Sequence, residues 1–272
     1  MEGRKILKNI IQAHEVVHSL KTYKQARMII QLDIAKAYDK LRWQYIKEIL
    51  KAYGFDFNWI KWVIALVTTA SCSILLNDSP SNTFKPSRGL RQGDPLSPFL
   101  FILMMEGLGR MINTAKKEGR IKGLKLTQNG EALMHQQFVD DTMLQGTLTV
   151  KEAKAFKQIL NEFAHVASTK VSLSKSKVLF FNTDIAIQRH LSRILGFQQE
   201  KISSKYLGMP LTNKPLSKAV WEEITNKLKE NLNKWTNRSL NLARRLVLTK
   251  AVLQTIPIYM FSTLPIPKGA LQ

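Results

Sequence analysis

The sequence predicts an α+β fold, in which short strands and longer helices share one folded body. Three observations lead to this prediction. Strand-length apolar runs are interspersed with segments of helical periodicity, one pair of short runs has the pattern of a hairpin, and 44% of the 272 residues are apolar. A chain of this size and composition can bury a substantial core. The sequence has no fixed-period repeat and no low-complexity tract, which argues against solenoids and flexible tails.

The first third of the chain begins with an amphipathic pattern over residues 3–20, which predicts a helix. An apolar run over residues 27–34 has the length of a strand, and Asp33 stands at its end. Leu41, Tyr45, Ile49 and Leu50 then recur at helical spacing before Gly54, and a further helix is predicted over residues 59–69. We therefore expect two helices to follow the first strand and to cover a sheet.

The middle of the chain combines a strand candidate, a loop and a long apolar helix. The strand candidate is SCSILLN, and the loop is SRGLRQGDP, which is rich in turn-forming residues. The helix is predicted over residues 95–113, because Pro95 suits the first turn of a helix. Asp94, directly before it, is expected to cap this helix, and Asp39 is expected to organise a turn.

The segment LMHQQFVDDTMLQG is predicted to be a hairpin, since two short runs meet at Asp140 and Asp141. A helix over residues 150–167 follows, then a strand in KVLFFN and a strand with a turn in KYLGMPL. The composition changes after Pro215, where helical patterns cover residues 217–235 and 239–255. We expect these last helices to form a separate lobe.

The strongest compositional feature is positive charge. The chain has 41 Lys and Arg against 20 Asp and Glu, a formal net charge of +21 and a pI near 10.1, which predicts a polyanionic partner. Residues 201–250 contain 11 of the basic residues and only 3 acidic ones, so the C-terminal lobe is a candidate clamp for phosphates. No apolar run reaches the roughly 18 residues of a membrane span, and the N-terminus lacks the apolar core of a signal peptide. We expect an intracellular protein without a membrane partner.

Asp33, Asp140 and Asp141 are the candidate catalytic residues. Carboxylates at strand ends provide the hard oxygen ligands that two Mg²⁺ ions need for nucleotidyl transfer. Asp33 and Asp140 are 107 residues apart (140 − 33), so only the fold can bring them together. The alternative is that the Asp140–Asp141 pair is a solvated turn, because Asp favours turns for local reasons.

Five segments in order resemble motifs A to E of reverse transcriptases: QLDIAKAYDKLRW, GLRQGDPLSPFLF, FVDDT, VSLSKSK and KYLGMPL. The similarity is closest to the LINE-type non-LTR retrotransposons of plants, and it extends through the thumb-like stretch LNKWTNRSLNLARRLVLTKAVLQTIPIYMFS. The resemblance implies a polymerase palm, with an antiparallel sheet covered by helices on one face, followed by a helical thumb. It also implies a remnant of the fingers over residues 1–30, a palm over residues 31–210 and a thumb-like lobe over residues 211–272.

The resemblance assigns metal ligands to Asp33, the backbone carbonyl of Ile34, Asp140 and Asp141. It implies two Mg²⁺ ions, with Mn²⁺ as an alternative, and the addition of deoxynucleoside triphosphates to a DNA primer on an RNA template. Adjacent carboxylates raise each other's pKa, so such a site makes sense mainly with cations bound.

Four further positions match substrate-binding residues of the family. Tyr38 resembles the steric gate that excludes the 2′-hydroxyl of a ribonucleotide, although a core tyrosine is the alternative. Gln92 and Gly93 resemble the pair beside the incoming base pair, where glycine allows the backbone to come close. Arg91 resembles a contact to template phosphate, and a surface arginine is its alternative.

The last two motifs supply a basic residue, in VSLSKSK, and a turn, in KYLGMPL. Lys175 resembles the lysine near the pyrophosphate, which supplies a proton or only charge, but Lys170 and Lys177 are close enough to leave the choice open. Tyr206, Leu207 and Gly208 resemble the primer grip, a turn that presses the primer end toward the metals.

The sequence departs from the family in two respects. Val139 stands where most relatives have alanine, and a β-branched residue is compatible with a strand. The fingers of the family would precede Met1, so we expect this chain alone to bind primer and template but to incorporate nucleotides poorly. A catalytically impaired, RNA-binding relic of a retrotransposon insertion is the alternative function. The resemblance also implies a nuclear location.

Overall fold

A computed structural model describes residues 6–126, 130, 132–200, 205–211, 218–236 and 241–253. The chain divides into two compact units. One unit is Lys24–Lys201, and the other combines Met1–Tyr23 with Ile202–Gln272. The first unit contains Asp33, Asp140 and Asp141. The domain boundaries expected near residues 30 and 210 stay a prediction.

The secondary structure alternates helices with short strands. The helices are α1 (Ile6–Thr22), α2 (Ala37–Lys40), α3 (Trp43–Ala52), α4 (Phe57–Thr68), α5 (Ser97–Lys117), α6 (Val150–Ala167), α7 (Ile185–Leu195), α8 (Lys218–Thr236) and α9 (Leu242–Leu248), which continues into a π-helical turn at Thr249–Leu253. The strands are β1 (Arg27–Leu32), β2 (Ile34–Ala35), β3 (Leu75–Leu76), β4 (Ser79–Pro80), β5 (Leu124–Lys125), β6 (Ala132–Leu133), β7 (His135–Phe138), β8 (Asp141–Thr147), β9 (Lys170–Val171), β10 (Lys177–Phe181), β11 (Gln198–Gln199), β12 (Lys205–Tyr206) and β13 (Met209–Pro210).

The larger unit is built on a five-stranded sheet with the order β11-β10-β1-β8-β7. Strand β1 lies in the middle and pairs antiparallel with both β8 and β10. Strands β7 and β8 form an antiparallel hairpin, and only the β10–β11 pair among these strands is parallel. The expected α+β fold with an antiparallel sheet is therefore confirmed.

One face of this sheet packs against helices. Met28, Ile30 and Leu32 alternate along β1 and belong to the same buried cluster as residues of α3, α5 and α6. This alternation follows from the two-residue period of a strand, which sends every second side chain to the same face. Burying this face of the sheet places the end of β1, and with it Asp33, at a fixed edge of the core.

Helix α6 has the bounds that the sequence predicts, because both of its ends are encoded locally. The side chain of Thr149 accepts a hydrogen bond from the backbone N–H of Glu152, as is typical of an N-cap residue. The Glu152 carboxylate is almost fully buried and accepts from the backbone N–H groups of Lys122 and Thr147. The cap therefore also ties α6 to the end of β8.

Several elements differ from the expectations. The predicted helix over residues 95–113 begins and ends later, at Ser97–Lys117. Its N-cap residue is Leu96, which makes no side-chain cap, so the expected cap by Asp94 is wrong; Asp94 instead accepts from the backbone N–H of Leu96, before the helix begins. The SCSILLN segment forms part of a small β3–β4 hairpin rather than one longer strand. Helices α2 and α7 were not predicted. None of the helices in the described ranges is long and apolar enough to cross a membrane.

Candidate active site

Asp33 and Asp141 lie at matching positions on neighbouring strands. Leu32 is the last residue of β1 in the ladder, and it faces Thr142 of β8. Continuing this antiparallel register by one residue places Asp33 beside Asp141, which starts β8. Directly opposite residues in such a pair have Cα atoms about 4.5 to 5.5 Å apart. The fold thus brings together two carboxylates that are 108 residues apart (141 − 33).

Asp140 lies in the tight turn between β7 and β8. Phe138 pairs with Asp141, so Val139 and Asp140 form a two-residue connection. Val139 has φ 55°, a left-handed conformation that is unusual for a β-branched residue. A positive φ at the first central residue is typical of the type II′ hairpin turns that fit the twist of paired strands. The turn therefore holds Asp140 next to Asp141 at some conformational cost in Val139.

The three carboxylates interact electrostatically. The pKa of Asp141 is raised, first because its carboxyl group loses hydration against the protein and then because of the negative charges of Asp140 and Asp33. No group of three His, Cys, Asp or Glu side chains in the described ranges forms a ready-made metal site. The charges of Asp140 and Asp33 thus disfavour ionisation of Asp141, and a bound cation would relieve that repulsion.

The backbone of Asp33 is held by the turn between β9 and β10. Strand β2, directly after Asp33, leaves the main sheet and pairs with β9, so that Ile34 faces Val171. The backbone N–H of Ser172 donates to the carbonyl of Asp33 at 2.8 Å. The hydroxyl of Ser176 accepts from the Asp33 N–H at 3.1 Å and donates to the Asp33 carbonyl at 3.5 Å. Asp33 therefore sits at a junction between two sheets, and the role of the Ile34 carbonyl stays a prediction.

Tyr38 lies in α2, close to these carboxylates. Its ring stacks on Phe101 of α5, with ring centroids 4.6 Å apart and an interplanar angle of 15°. The pKa of Tyr38 is raised, mainly by burial and in addition by the charge of Asp140. The ring is half-buried and packs against the core, so it has features of both a core tyrosine and a residue beside the candidate site. Its role as a steric gate stays a prediction.

The loop that carries Gln92 is fastened to α2 and α3. Its Leu90 N–H donates to the Tyr38 carbonyl at 2.7 Å, and its Gly89 N–H donates to the Leu41 carbonyl at 2.8 Å. The indole N–H of Trp43 donates to the Gly89 carbonyl at 2.7 Å. Gly89 has φ 92°, and a Cβ atom there would lie 2.6 Å from the backbone oxygen of Asp39. Glycine is therefore required at position 89 by a close backbone contact that the sequence motif did not reveal.

The side chains of Gln92 and Arg91 both contact the protein itself. The Gln92 amide donates to Oδ1 of Asp39 at 3.2 Å, and the Arg91 guanidinium donates to the Leu66 carbonyl at 3.1 Å. Asp39 therefore binds this loop, in addition to lying in α2, whereas the sequence suggested only a local turn. Gly93 has φ 90°, and no atom lies within 4 Å of the position of its Cβ. This open space is compatible with the predicted approach of a base pair.

The three candidate lysines differ in their surroundings. The Lys177 ammonium forms an ion pair with Glu200 at 2.5 Å, and Lys170 lies in β9 opposite Ala35. Lys175 is exposed in the turn that holds Asp33, and no contact of its ammonium group occurs within the described ranges. Lys175 is thus available to an outside anion, whereas Lys177 is already neutralised. This difference favours Lys175 for the predicted role.

The predicted primer grip forms a hairpin in the other compact unit. Tyr206 and Met209 pair across a two-residue turn made of Leu207 and Gly208. Both turn residues have positive φ, 49° and 79°, as a type I′ hairpin turn requires. Tyr206 is buried. The turn expected from KYLGMPL is therefore present, and its function stays a prediction.

Comparisons with known proteins agree with this architecture. A family model described as reverse transcriptase (RNA-dependent DNA polymerase) matches residues 1–211. An uncharacterized mitochondrial protein of Arabidopsis thaliana is 46% identical over 68 residues, which are 25% of this chain and 56% of that protein. A retrovirus-related Pol polyprotein from a type-2 retrotransposable element of Drosophila melanogaster is 34% identical over 127 residues, which are 47% of this chain and 11% of that protein. The matched segments thus span about half of the first relative and a small part of the second.

A solved structure also shares the fold. Telomerase from Candida albicans, in complex with a fragment of telomeric RNA, superimposes with a TM-score of 0.51 at 12% sequence identity. The match covers 95% of this chain and 42% of that chain. At this identity the likeness concerns the fold alone.

Proposed function

The chain belongs to the reverse transcriptase family, and on this premise we propose that it is the palm and thumb of an RNA-directed DNA polymerase. The reaction is attack of a primer 3′-hydroxyl on the α-phosphate of a deoxynucleoside triphosphate, which forms one phosphodiester bond and releases pyrophosphate. The observation that carries the proposal is the convergence of Asp33, Asp140 and Asp141 where β1 ends and β8 begins. The raised pKa of Asp141 is consistent with this convergence, because the charges of Asp140 and Asp33 contribute to it after burial.

The candidate ligand set fits divalent cations. Asp33, Asp140 and Asp141 offer hard carboxylate oxygens, and the backbone carbonyl of Ile34 is the further oxygen ligand that we propose. Two Mg²⁺ ions held by these residues, or Mn²⁺ in their place, would lower the pKa of the attacking hydroxyl and stabilise the charge on the leaving pyrophosphate. The chain's contribution is to hold the oxygens at the strand ends on a packed sheet, which keeps the donor atoms in place without further ordering.

The neighbouring side chains have roles in nucleotide selection. Tyr38 stands close to Asp140, and its stacking on Phe101 would keep the ring from moving aside for a 2′-hydroxyl. Gln92 is oriented by Asp39, and Gly93 leaves open space where a base pair would approach. Lys175, whose ammonium has no partner among the described residues, would supply a positive charge for the triphosphate. These residues would contribute to catalysis by holding the nucleotide in a fixed position.

RNA template and DNA primer are the proposed partners. A net charge of +21 favours binding to phosphate backbones, and the basic excess within residues 201–250 gives the C-terminal lobe the same preference. The β12–β13 turn at Leu207 and Gly208 is proposed to contact the primer strand. Arg91 is proposed to contact template phosphate, although its guanidinium already donates to the Leu66 carbonyl and would keep other N–H groups for that contact.

A primer-extension assay on a defined RNA template tests the proposal. The chain should be assayed by itself and joined to further segments of a longer relative, each with Mg²⁺ and with Mn²⁺. We expect extension at least in the joined form, and complete loss of extension in the Asp140→Asn variant with nearly unchanged primer-template binding. Binding without extension in every form would overturn the polymerase proposal and favour the RNA-binding relic.

A further inference from the structure

We propose that Ser176 is the residue that positions Asp33 for metal binding. The inference rests on the proposed function, because that function makes the Asp33 carboxylate a metal ligand. Ser176 lies 143 residues after Asp33, and its own side chain would not touch the metal ions or the substrate. Its action is through the backbone of Asp33.

The backbone of Asp33 stands outside both ladders that flank it. The ladder of β1 ends at Leu32, which pairs with β8, and the ladder of β2 begins at Ile34, which pairs with β9. Asp33 is the single residue at which the chain passes from one sheet to the other. Its N–H and carbonyl groups therefore depend on partners other than a continuous strand.

The Ser176 hydroxyl binds both of those groups. It accepts from the Asp33 N–H at 3.1 Å and donates to the Asp33 carbonyl at 3.5 Å. One hydroxyl can do this because it has one O–H donor and two acceptor lone pairs. The second bond is long, and the carbonyl is also bound by the Ser172 N–H at 2.8 Å. The N–H contact is therefore the one for which Ser176 has no substitute.

Burial makes the Ser176 contact effective. Ser176 has no exposed surface, and its own backbone N–H donates to the Ser172 carbonyl at 2.8 Å. Water cannot readily replace the hydroxyl at such a site, so removing it leaves a partly buried N–H without its partner. The position of Asp33 beside Asp141 would then lose its support at the junction. Residues that orient metal ligands typically contribute about 10- to 100-fold to metal affinity.

The experiment measures Mn²⁺ binding to the full chain by electron paramagnetic resonance, without nucleotide or nucleic acid. The variants are Ser176→Ala and a matched control in the same turn, Ser174→Ala, whose side chain is exposed. The Asp140→Asn variant identifies which part of the signal belongs to the candidate site. Urea unfolding and salt-dependent RNA binding of each variant report on the fold. If Ser176→Ala does not fold, Ser176→Cys is measured in the same way, because a thiol is a weaker hydrogen-bond partner of similar shape.

We expect the Asp140-dependent Mn²⁺ affinity to fall about tenfold in the Ser176 variant and to stay unchanged in Ser174→Ala. RNA binding should be the same in both. Unchanged Mn²⁺ affinity in a folded Ser176 variant would overturn the inference, even if that variant were less stable. A wild-type chain that binds Mn²⁺ in this pattern but extends no primer would contradict the proposed function while supporting the role of Ser176. A wild-type chain without any Asp140-dependent Mn²⁺ signal would contradict both.

Discussion

Replacing Gly89 by alanine should be much more destabilising than replacing Gly93, although both glycines have nearly the same φ. The values are 92° for Gly89 and 90° for Gly93. An L-residue held in the left-handed region costs about 1 to 2 kcal/mol, and this cost is common to both variants. The two positions differ in what the added methyl group would meet, so comparing the two variants separates the cost of the contact from the cost of the positive φ.

The contact at position 89 is with backbone. The added Cβ would lie 2.6 Å from the Asp39 oxygen and 3.0 Å from its carbonyl carbon, whereas nothing lies within 4 Å at Gly93. A backbone atom cannot rotate away as a side chain can, so the loop must separate from α2. Overpacking of this kind typically costs about 1 to 3 kcal/mol. We therefore expect losses in unfolding free energy of about 2 to 5 kcal/mol for Gly89→Ala and about 1 to 2 kcal/mol for Gly93→Ala.

Urea unfolding followed by circular dichroism measures this difference in the free energy of unfolding. The slope of that free energy against urea concentration should be compared between the variants. The Gly89 variant should also weaken the hydrogen bonds from the Leu90 N–H to the Tyr38 carbonyl and from the Trp43 indole to the Gly89 carbonyl. Amides of this loop should therefore lose protection against hydrogen exchange. Equal destabilisation by the two substitutions would refute the close contact between this loop and α2.

Three further predictions concern charge and selectivity. Folding raises the pKa of Asp141 above its ordinary value of about 3.9. Between these two pKa values the folded chain binds more protons than the unfolded chain. The contribution of Asp141 to the free energy of unfolding therefore falls as the pH rises through that window. Asp140→Asn should lower the pKa of Asp141, measured by NMR titration, and reduce this pH-dependent loss of stability. An unchanged pKa of Asp141 in the variant would mean that the two charges do not interact. Tyr38→Ala should let ribonucleotides compete better with deoxynucleotides, whereas Tyr38→Phe keeps the ring and should discriminate between the sugars as the wild type does. Equal sugar discrimination by the wild type and both variants would identify Tyr38 as a core residue alone. Affinity for RNA should fall linearly with salt on logarithmic axes, by roughly 0.7 to 0.9 units for each neutralised phosphate, and a flat response would reject the role of the basic charge.

The sequence was informative wherever the structural signal is local. Helix α6 begins after Thr149 and ends at Ala167 as predicted, because its cap and its apolar period lie within one segment. The hairpin around Asp140 was predicted from two short runs that meet at a turn, and it is present as β7 and β8. The order of the five motifs led to the correct family, because the order and spacing of motifs can be read without knowing the fold.

Features that depend on distant contacts were missed. Ser176 and Asp33 are 143 residues apart, and nothing near either residue indicates that they meet. Gly89 was not singled out, because its requirement for glycine arises from the backbone of Asp39. Helix α2 has only four residues and follows Lys36 at φ 50°, so its pattern is too short to recognise. Tertiary packing, rather than local propensity, determines these features.

The position of bound metal would show whether Asp33 and Asp140 hold two ions. Crystals of the chain with an RNA template, a DNA primer, a non-reactive deoxynucleotide analogue and Mn²⁺ would locate the ions by anomalous scattering. We expect two peaks about 3.5 to 4 Å apart, with Asp33 and Asp140 as ligands. Peaks elsewhere on the chain, or no peak beside Asp33 and Asp140 while primer and template are bound, would contradict it.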